Sequence, residues 1–341
     1  MYITPEESSR SLSFISPRNK NLLKNQSAVL WRKINGNFTF KETFIIQKMT
    51  EEISKIPDSP KTTEITEYNT LVLSGGSIRG IAILGALQYA YDNYLLTKVR
   101  TFIGTSAGAM IGYLLCIGYT PIEIIVYLCT HQLMERLQSF NIVAMIQGRG
   151  ASSFNQLAEH LEKMSIAKIG YLPTIGDLHA KLGKTLICAT HNLTESRTEY
   201  IRPETHPEVP CITALRMSAN LPLVFERYKY GHSLYVDGGI SDNFPIQLAD
   251  SPQNKVLGIS LAGNKSNLEE EAELNTLEYI YDLMFIPIDQ SVAYKIANVS
   301  ERCNIIRIPA SKFKFFNFNL SSTAKLNLFS EGYDHMRTVS Q

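Results

Sequence analysis

This chain has no charge imbalance: 33 Lys and Arg stand against 32 Asp and Glu, a formal net charge of +1 over 341 residues. Nucleic-acid binding through bulk charge is therefore excluded, as is an acidic solvating tail as the protein's main business. Cysteine is scarce as well. The five residues Cys116, Cys129, Cys188, Cys211 and Cys303 are odd in number and show no Cys-x-x-Cys spacing, so neither a disulfide framework nor a cysteine zinc site is encoded. They read as small apolar residues buried in a reducing compartment. No P-loop of the Gly-x-x-x-x-Gly-Lys-Ser/Thr form occurs. Long apolar runs are missing too. The uncharged stretch between Arg100 and Glu123 is broken by Gly104, Gly108, Gly112, Gly118 and Pro121, and its mainly apolar part covers only residues 109–117. That is well short of the roughly 20 residues a membrane span needs, and a buried core helix is expected instead. Met1-Tyr2-Ile3-Thr4-Pro5-Glu6-Glu7 has neither the basic start nor the apolar run of a secretory signal. A cytoplasmic protein, at most peripheral at membranes, is the expectation.

What the sequence does contain changes character near residue 67. Residues 1–66 are polar and irregular, with the only tryptophan at Trp31, a turn signal at Asn35-Gly36, and Pro57 and Pro60 before the change. They read as an extension, helical around residues 43–53. From residue 71 onward, short apolar runs alternate with longer helical stretches. Residues 71–73, 99–103, 185–189, 256–261 and 305–308 have the length and branching of buried strands. Helices are expected over residues 81–94, 107–117, 122–137, 154–164, 211–217 and 276–295. Strand, helix, strand, helix in this order predicts an α/β fold with a mostly parallel sheet covered on both faces. A domain over residues 67–310 and a partly helical segment over 311–341 are expected. Ligands of such sheets sit at the carboxyl ends of the strands, so the turns leaving Leu73 and Ile103 are the places to look.

Three elements there carry chemistry. Ser74-Gly75-Gly76-Ser77-Ile78-Arg79-Gly80 lies between a strand and an apolar helix. Its glycines let backbone N–H groups form a nest for negative charge. A dinucleotide turn uses the same physics, but the acidic residue that a Rossmann unit places at the end of its second strand is absent, since 99–103 runs into Gly104. Gly104-Thr105-Ser106-Ala107-Gly108 follows the next strand, and Gly-x-Ser-x-Gly in that context suits a nucleophile elbow with an exposed serine at a helix start. A serine nucleophile needs a base. Of the seven histidines (131, 160, 179, 191, 206, 232 and 335), only His335 falls late enough for a Ser, Asp, His order, and it sits in a polar helix near the end. Tyr235-Val236-Asp237-Gly238-Gly239, with Asn243 and Pro245 beyond, offers a carboxylate at a strand end instead. By itself an Asp-Gly pair is more often a hairpin turn.

Together, in this order, the three elements resemble the patatin-like phospholipases, serine acyl hydrolases with a three-layer α/β sandwich. The resemblance runs from about Tyr68 to Ile308 and includes the stretch from Ser218 to Phe225 and the Asn243-x-Pro245 pair. It implies Ser106 as nucleophile and Asp237 as proton acceptor. Gly104 and Gly108 would shape the elbow, and an oxyanion hole would come from Gly75, Gly76, Ser77 and Gly80, with Arg79 nearby. It also implies lipid ester hydrolysis without cofactor or metal, a phospholipid or other lipid substrate, and transient contact with a membrane surface. Ser77 stands where the family usually has its third glycine. A Cβ held at positive φ costs about 1 kcal/mol, so a slow enzyme, or a catalytically silent scaffold of the same fold, is the alternative. Phe313-Lys314-Phe315-Phe316-Asn317-Phe318 would suit either an interfacial anchor or core packing.

Overall fold

The computed structural model describes residues 67–131, 152–262, 276–309 and 320–340. The expected helix at 43–53 and the aromatic stretch from Phe313 to Phe318 lie outside the described residues.

Among the described residues eight strands form one sheet: β1 (Thr70–Leu73), β2 (Thr101–Thr105), β3 (Thr185–Asn192), β4 (Arg197–Ile201), β5 (Tyr228–Tyr230), β6 (Ser233–Asp237), β7 (Val256–Leu261) and β8 (Cys303–Ile308). Their order is β5-β6-β3-β2-β1-β7-β8, with β4 also paired to β3. The five strands β3, β2, β1, β7 and β8 are mutually parallel, as buried apolar runs favour. Antiparallel β4, β6 and β5 extend the sheet beyond β3 and make it mixed.

The helices are α1 (Gly80–Asp92), α2 (Ala107–Cys116), α3 (Pro121–Thr130), α4 (Asn155–Ile169), α5 (Ile175–Leu182), α6 (Cys211–Ser218), the single turn α7 (Gly239–Asp242), α8 (Thr276–Ala297) and α9 (Ser322–Val339). Alternation along the strands sends side chains to two cores. Leu71, Phe102 and Leu186 are in register on one face and pack under α1 to α6 and α9. Val72, Ile103 and Ile187, also in register, face the other way against Phe244, Ile246 and Val292 of α8. The result is the expected three-layer sandwich.

Local chemistry explains several boundaries. Thr120 caps α3 through a capping box with Glu123, and Pro121 occupies the first helical position. α9 packs along α1 and places Leu328, Phe329 and Met336 in the larger core. Among the described residues no single helix is long and apolar enough to cross a membrane. α2 and α3 have the composition jointly but meet at a 119° bend, and α2 is buried almost throughout.

Candidate active site

Strand register brings the two expected reactive side chains together. β2 runs parallel to β3 and ends at Thr105, opposite Ala189. β6 runs antiparallel to β3 and ends at Asp237, opposite Thr190. The carboxyl ends of the two strands therefore meet at consecutive residues of β3, with Ser106 one residue past one of them. Residues 131 positions apart in sequence line one small cavity there, together with Gly76, Gly239 and Asn243.

Ser106 is held at φ 53°, ψ −120° as the residue preceding α2. A side chain at positive φ is strained, and the neighbouring glycines are what make the turn possible. A Cβ on Gly104 would stand 2.6 Å from the Ala109 nitrogen, and one on Gly108 would stand 2.5 Å from the carbonyl oxygens of Leu73 and Ser74. The Ser106 N–H donates to Ser218 Oγ (2.9 Å), which in turn donates to the Ala189 carbonyl (2.6 Å). Ser218 thus rivets the elbow to β3. The sequence motif did not reveal this role, because both partners of Ser218 are remote in the chain.

Asp237 is almost fully buried. Its N–H donates to the Asn220 carbonyl, and Oδ1 accepts from the Gly239 N–H at 2.7 Å. Oδ2 has no hydrogen-bond partner among the described residues. Burial pushes the carboxyl up to about 6, while the Ser106 hydroxyl and the Gly239 N–H oppose that rise by favouring the charged form. Next in the chain, Asp242 pairs with Lys295 of α8, accepts from the Tyr200 hydroxyl at 2.7 Å, and offers its carbonyl to Thr105 Oγ1 at 2.9 Å. This buried knot ties the end of β2, the turn after Asp237 and α8 to one another. Neither Asp242 nor Lys295 was singled out as a site residue in the sequence, although Lys295 closes the expected helix 276–295.

In the turn after β1 the Gly75 N–H donates to the Asn243 carbonyl at 3.1 Å. The N–H groups of Gly76 and Ser77 have no backbone acceptor among the described residues. Ser77 adopts φ 51°, so the strain expected of a serine in a glycine's place is present. Arg79 closes this turn by donating its N–H to the Gly76 carbonyl at 3.1 Å. Its side chain lines a separate cavity with Glu331, Asp334 and His335, and its charge acts on Asp289 of α8. His335 is thereby placed away from Ser106. His160 lines the apolar channel beside Ser106, where its Nδ1 is hydrogen-bonded to the Tyr127 hydroxyl at 2.8 Å.

That channel runs from Ser77 and Ser106 along Met110, Ile111 and Leu114 of α2 to α3 and α4. It encloses about 980 Å³ including its open mouth, and its wall is overwhelmingly apolar. Gly80 belongs to its wall. Among the described residues no cluster of three or more His, Cys, Asp or Glu is arranged to hold a metal.

A mixed α/β sheet with a strained serine at a strand–turn–helix elbow and a carboxylate delivered by an opposing strand defines a class of α/β protein with a buried polar pair beside an apolar channel. The family model for patatin-like phospholipase matches residues 71–250, more than half of the chain, and the chain belongs to that family. Over 194 residues it is 37% identical to the "Probable lipid hydrolase 463L" of Invertebrate iridescent virus 6, a match covering 55% of this chain and 65% of that protein. A longer match, 27% identical over 285 residues, covers 80% of this chain and 94% of "Uncharacterized protein R571" of Acanthamoeba polyphaga mimivirus. VipD from Legionella pneumophila has the same fold, with a TM-score of 0.52 at 15% identity over 84% of this chain and 72% of that one.

Proposed function

We propose that this protein hydrolyses fatty-acyl esters of phospholipids or related lipids, with Ser106 as nucleophile and Asp237 as its base. The observation that carries the reading is the meeting of a strained serine at the start of α2 and a buried carboxylate in one small cavity beside an apolar channel. Family membership and the name of the viral relative support lipid as the substrate class.

In this reading Ser106 Oγ attacks the acyl carbonyl carbon while its proton passes to Asp237. The N–H groups of Gly76 and Ser77, with the amino end of α2, hold the oxyanion that forms. Collapse of the tetrahedral intermediate expels the alcohol portion of the lipid, which takes the proton from Asp237. Water then attacks the acyl-enzyme, Asp237 accepts its proton, and a second collapse releases the fatty acid and restores Ser106. The channel along α2 takes the acyl chain, exchanging its contact with water for apolar walls. Because the substrate resides in a lipid aggregate, the protein works in contact with a membrane surface.

Hydrolysis of a fluorescent phospholipid by the purified chain tests this directly. Ser106→Ala should lower kcat by at least about 10³-fold. The parent rate should be unchanged by EDTA, because backbone N–H groups supply the electrostatics. Full activity in Ser106→Ala would refute the reading. A catalytically silent lipid-binding protein is the second reading, and the strained Ser77 is the observation that favours it.

A further inference from the structure

Among the described residues, three side chains bring polar groups to the small cavity of the reactive pair: Ser106, Asp237 and Asn243. Met284, Phe285 and Ile288 of α8 line it with apolar surface. The main-chain carbonyl of Asn243 accepts the Gly75 N–H, but its side-chain amide makes no hydrogen bond among the described residues. Asn243 is only partly exposed. An amide turned into such a cavity needs a polar ligand in place of the bulk water it has lost.

Two glycines make room for this amide. A Cβ on Gly75 would stand 2.4 Å from Asn243 Oδ1 and 3.4 Å from Ser106 Cβ, and one on Gly239 would stand 3.0 Å from Asn243 Oδ1 and 2.8 Å from Asp237 Oδ1. The amide oxygen therefore lies within about 6 Å of both the serine and the aspartate, the span of one bridging water. Its oxygen is the end that meets both glycines, and that decides what it can hold. An acceptor repels an oxyanion, so the amide adds nothing to the stabilisation of the tetrahedral intermediate. The reacting species with a hydrogen to spare for it is water. Ser106 lines both this cavity and the apolar channel, so an acyl chain and a water can reach the serine from different sides.

We propose that Asn243 is a further catalytic residue, whose Oδ1 accepts one hydrogen of the water that hydrolyses the acyl-enzyme while Asp237 takes the other. This deepens the lipid-hydrolase reading and rests on it. Held by two acceptors, the water turns a lone pair toward the acyl carbon. Its oxygen bonds to that carbon as one proton passes to Asp237. The intermediate then collapses, the bond between the acyl carbon and Ser106 Oγ breaks, and Ser106 takes the proton back from Asp237. The second hydrogen leaves on the carboxylic acid.

Release of nitrophenol from a p-nitrophenyl ester, followed by rapid mixing beside fluorophosphonate labelling, tests the assignment. Asn243→Ala keeps the main-chain carbonyl that holds Gly75. It should be labelled within about twofold of the parent rate, which also shows that it folds. It should release one equivalent of nitrophenol per chain in a burst and then turn over at least about tenfold more slowly than the parent. Asn243→Asp keeps an acceptor oxygen and should turn over faster than Asn243→Ala. Its rise of kcat with pH should lie above about 6, because a second carboxylate raises Asp237 further. Labelling and turnover that fall together in both variants would show a structural role and overturn the proposal. Slower labelling of Asn243→Ala without a burst would place the amide in acylation, and parent-rate hydrolysis would leave it without a role; either result equally overturns the proposal. A parent that is neither labelled nor active on any ester refutes the lipid-hydrolase reading and this assignment with it, whereas an active parent confines the other failures to Asn243.

Discussion

The turns that leave β1 and β2 are neighbours of the same design, yet they tolerate change very differently. Each follows a parallel strand, precedes a helix, and holds a serine at positive φ, Ser77 at 51° and Ser106 at 53°. Around Ser106 the glycines are pressed against backbone: a Cβ on Gly104 or Gly108 would meet main-chain atoms at 2.5–2.6 Å. Around Ser77 the pressure comes from side chains, with Asn243 Oδ1 2.4 Å from a Cβ on Gly75 and Leu261 Cδ1 2.1 Å from one on Gly76. Side-chain ends can swing away; backbone cannot without moving a strand. The turn at Ser106 is consequently fixed by the fold, whereas the turn at Ser77 is adjustable. This explains how a serine can occupy a glycine's place in the second but would be excluded from the flanks of the first.

Substitutions can break this contrast. Gly108→Ala should have the largest effect on the fold, about 3 kcal/mol or more, because the β1 backbone must shift; denaturant unfolding measures it, and near-parent stability would contradict the contrast. Asp237→Asn comes next. It should lower kcat by about 10³-fold, yet raise stability. The carboxyl is raised from 3.8 to about 6 in the fold, so its ionisation favours the unfolded chain. The gain from Asn should be nil below pH 3.8, grow between pH 3.8 and 6, and reach at most about 3 kcal/mol above that. By the same sign, kcat/KM of the parent should rise with pH through about 6 as Asp237 becomes the carboxylate that accepts a proton. Gly76→Ala should cost about 10²-fold in kcat by tilting one donor N–H, while thermal unfolding shows a loss below about 1.5 kcal/mol as Leu261 yields. Ser77→Gly should change least. Relief of about 1 kcal/mol of strain is offset by a similar entropy gain in the unfolded chain, leaving stability within about 0.5 kcal/mol. A gain of more than about tenfold in kcat would mean that Ser77 distorts the donor turn after all.

The elbow and the aspartate turn were legible because their chemistry depends on local backbone, and glycine spacing records local backbone. The five parallel strands were legible for a related reason: burial on both faces leaves short, uniformly apolar runs such as 71–73 and 256–261. β4 and β5 escaped notice. Arg197-Thr198-Glu199-Tyr200-Ile201 pairs only with β3 and stays partly exposed, and Tyr228-Lys229-Tyr230 is too short and polar to register. α5 was missed although Thr174 and Asp177 form a capping box at its start. The supports of the site were illegible for a different reason. Ser218 acts on Ser106 and Ala189, Asn243 takes up the Gly75 N–H, and Lys295 reaches Asp242, all across long stretches of chain. Only the folded sheet brings those pairs together.

The central claim is that Ser106 is an activated nucleophile. Incubating the parent, Ser106→Ala and Asp237→Asn with a fluorophosphonate probe, then mapping the adduct by mass spectrometry, tests it most directly. A single adduct on Ser106 is predicted, absent in Ser106→Ala and formed much more slowly in Asp237→Asn. No adduct on the parent, or one on another serine, would contradict the account.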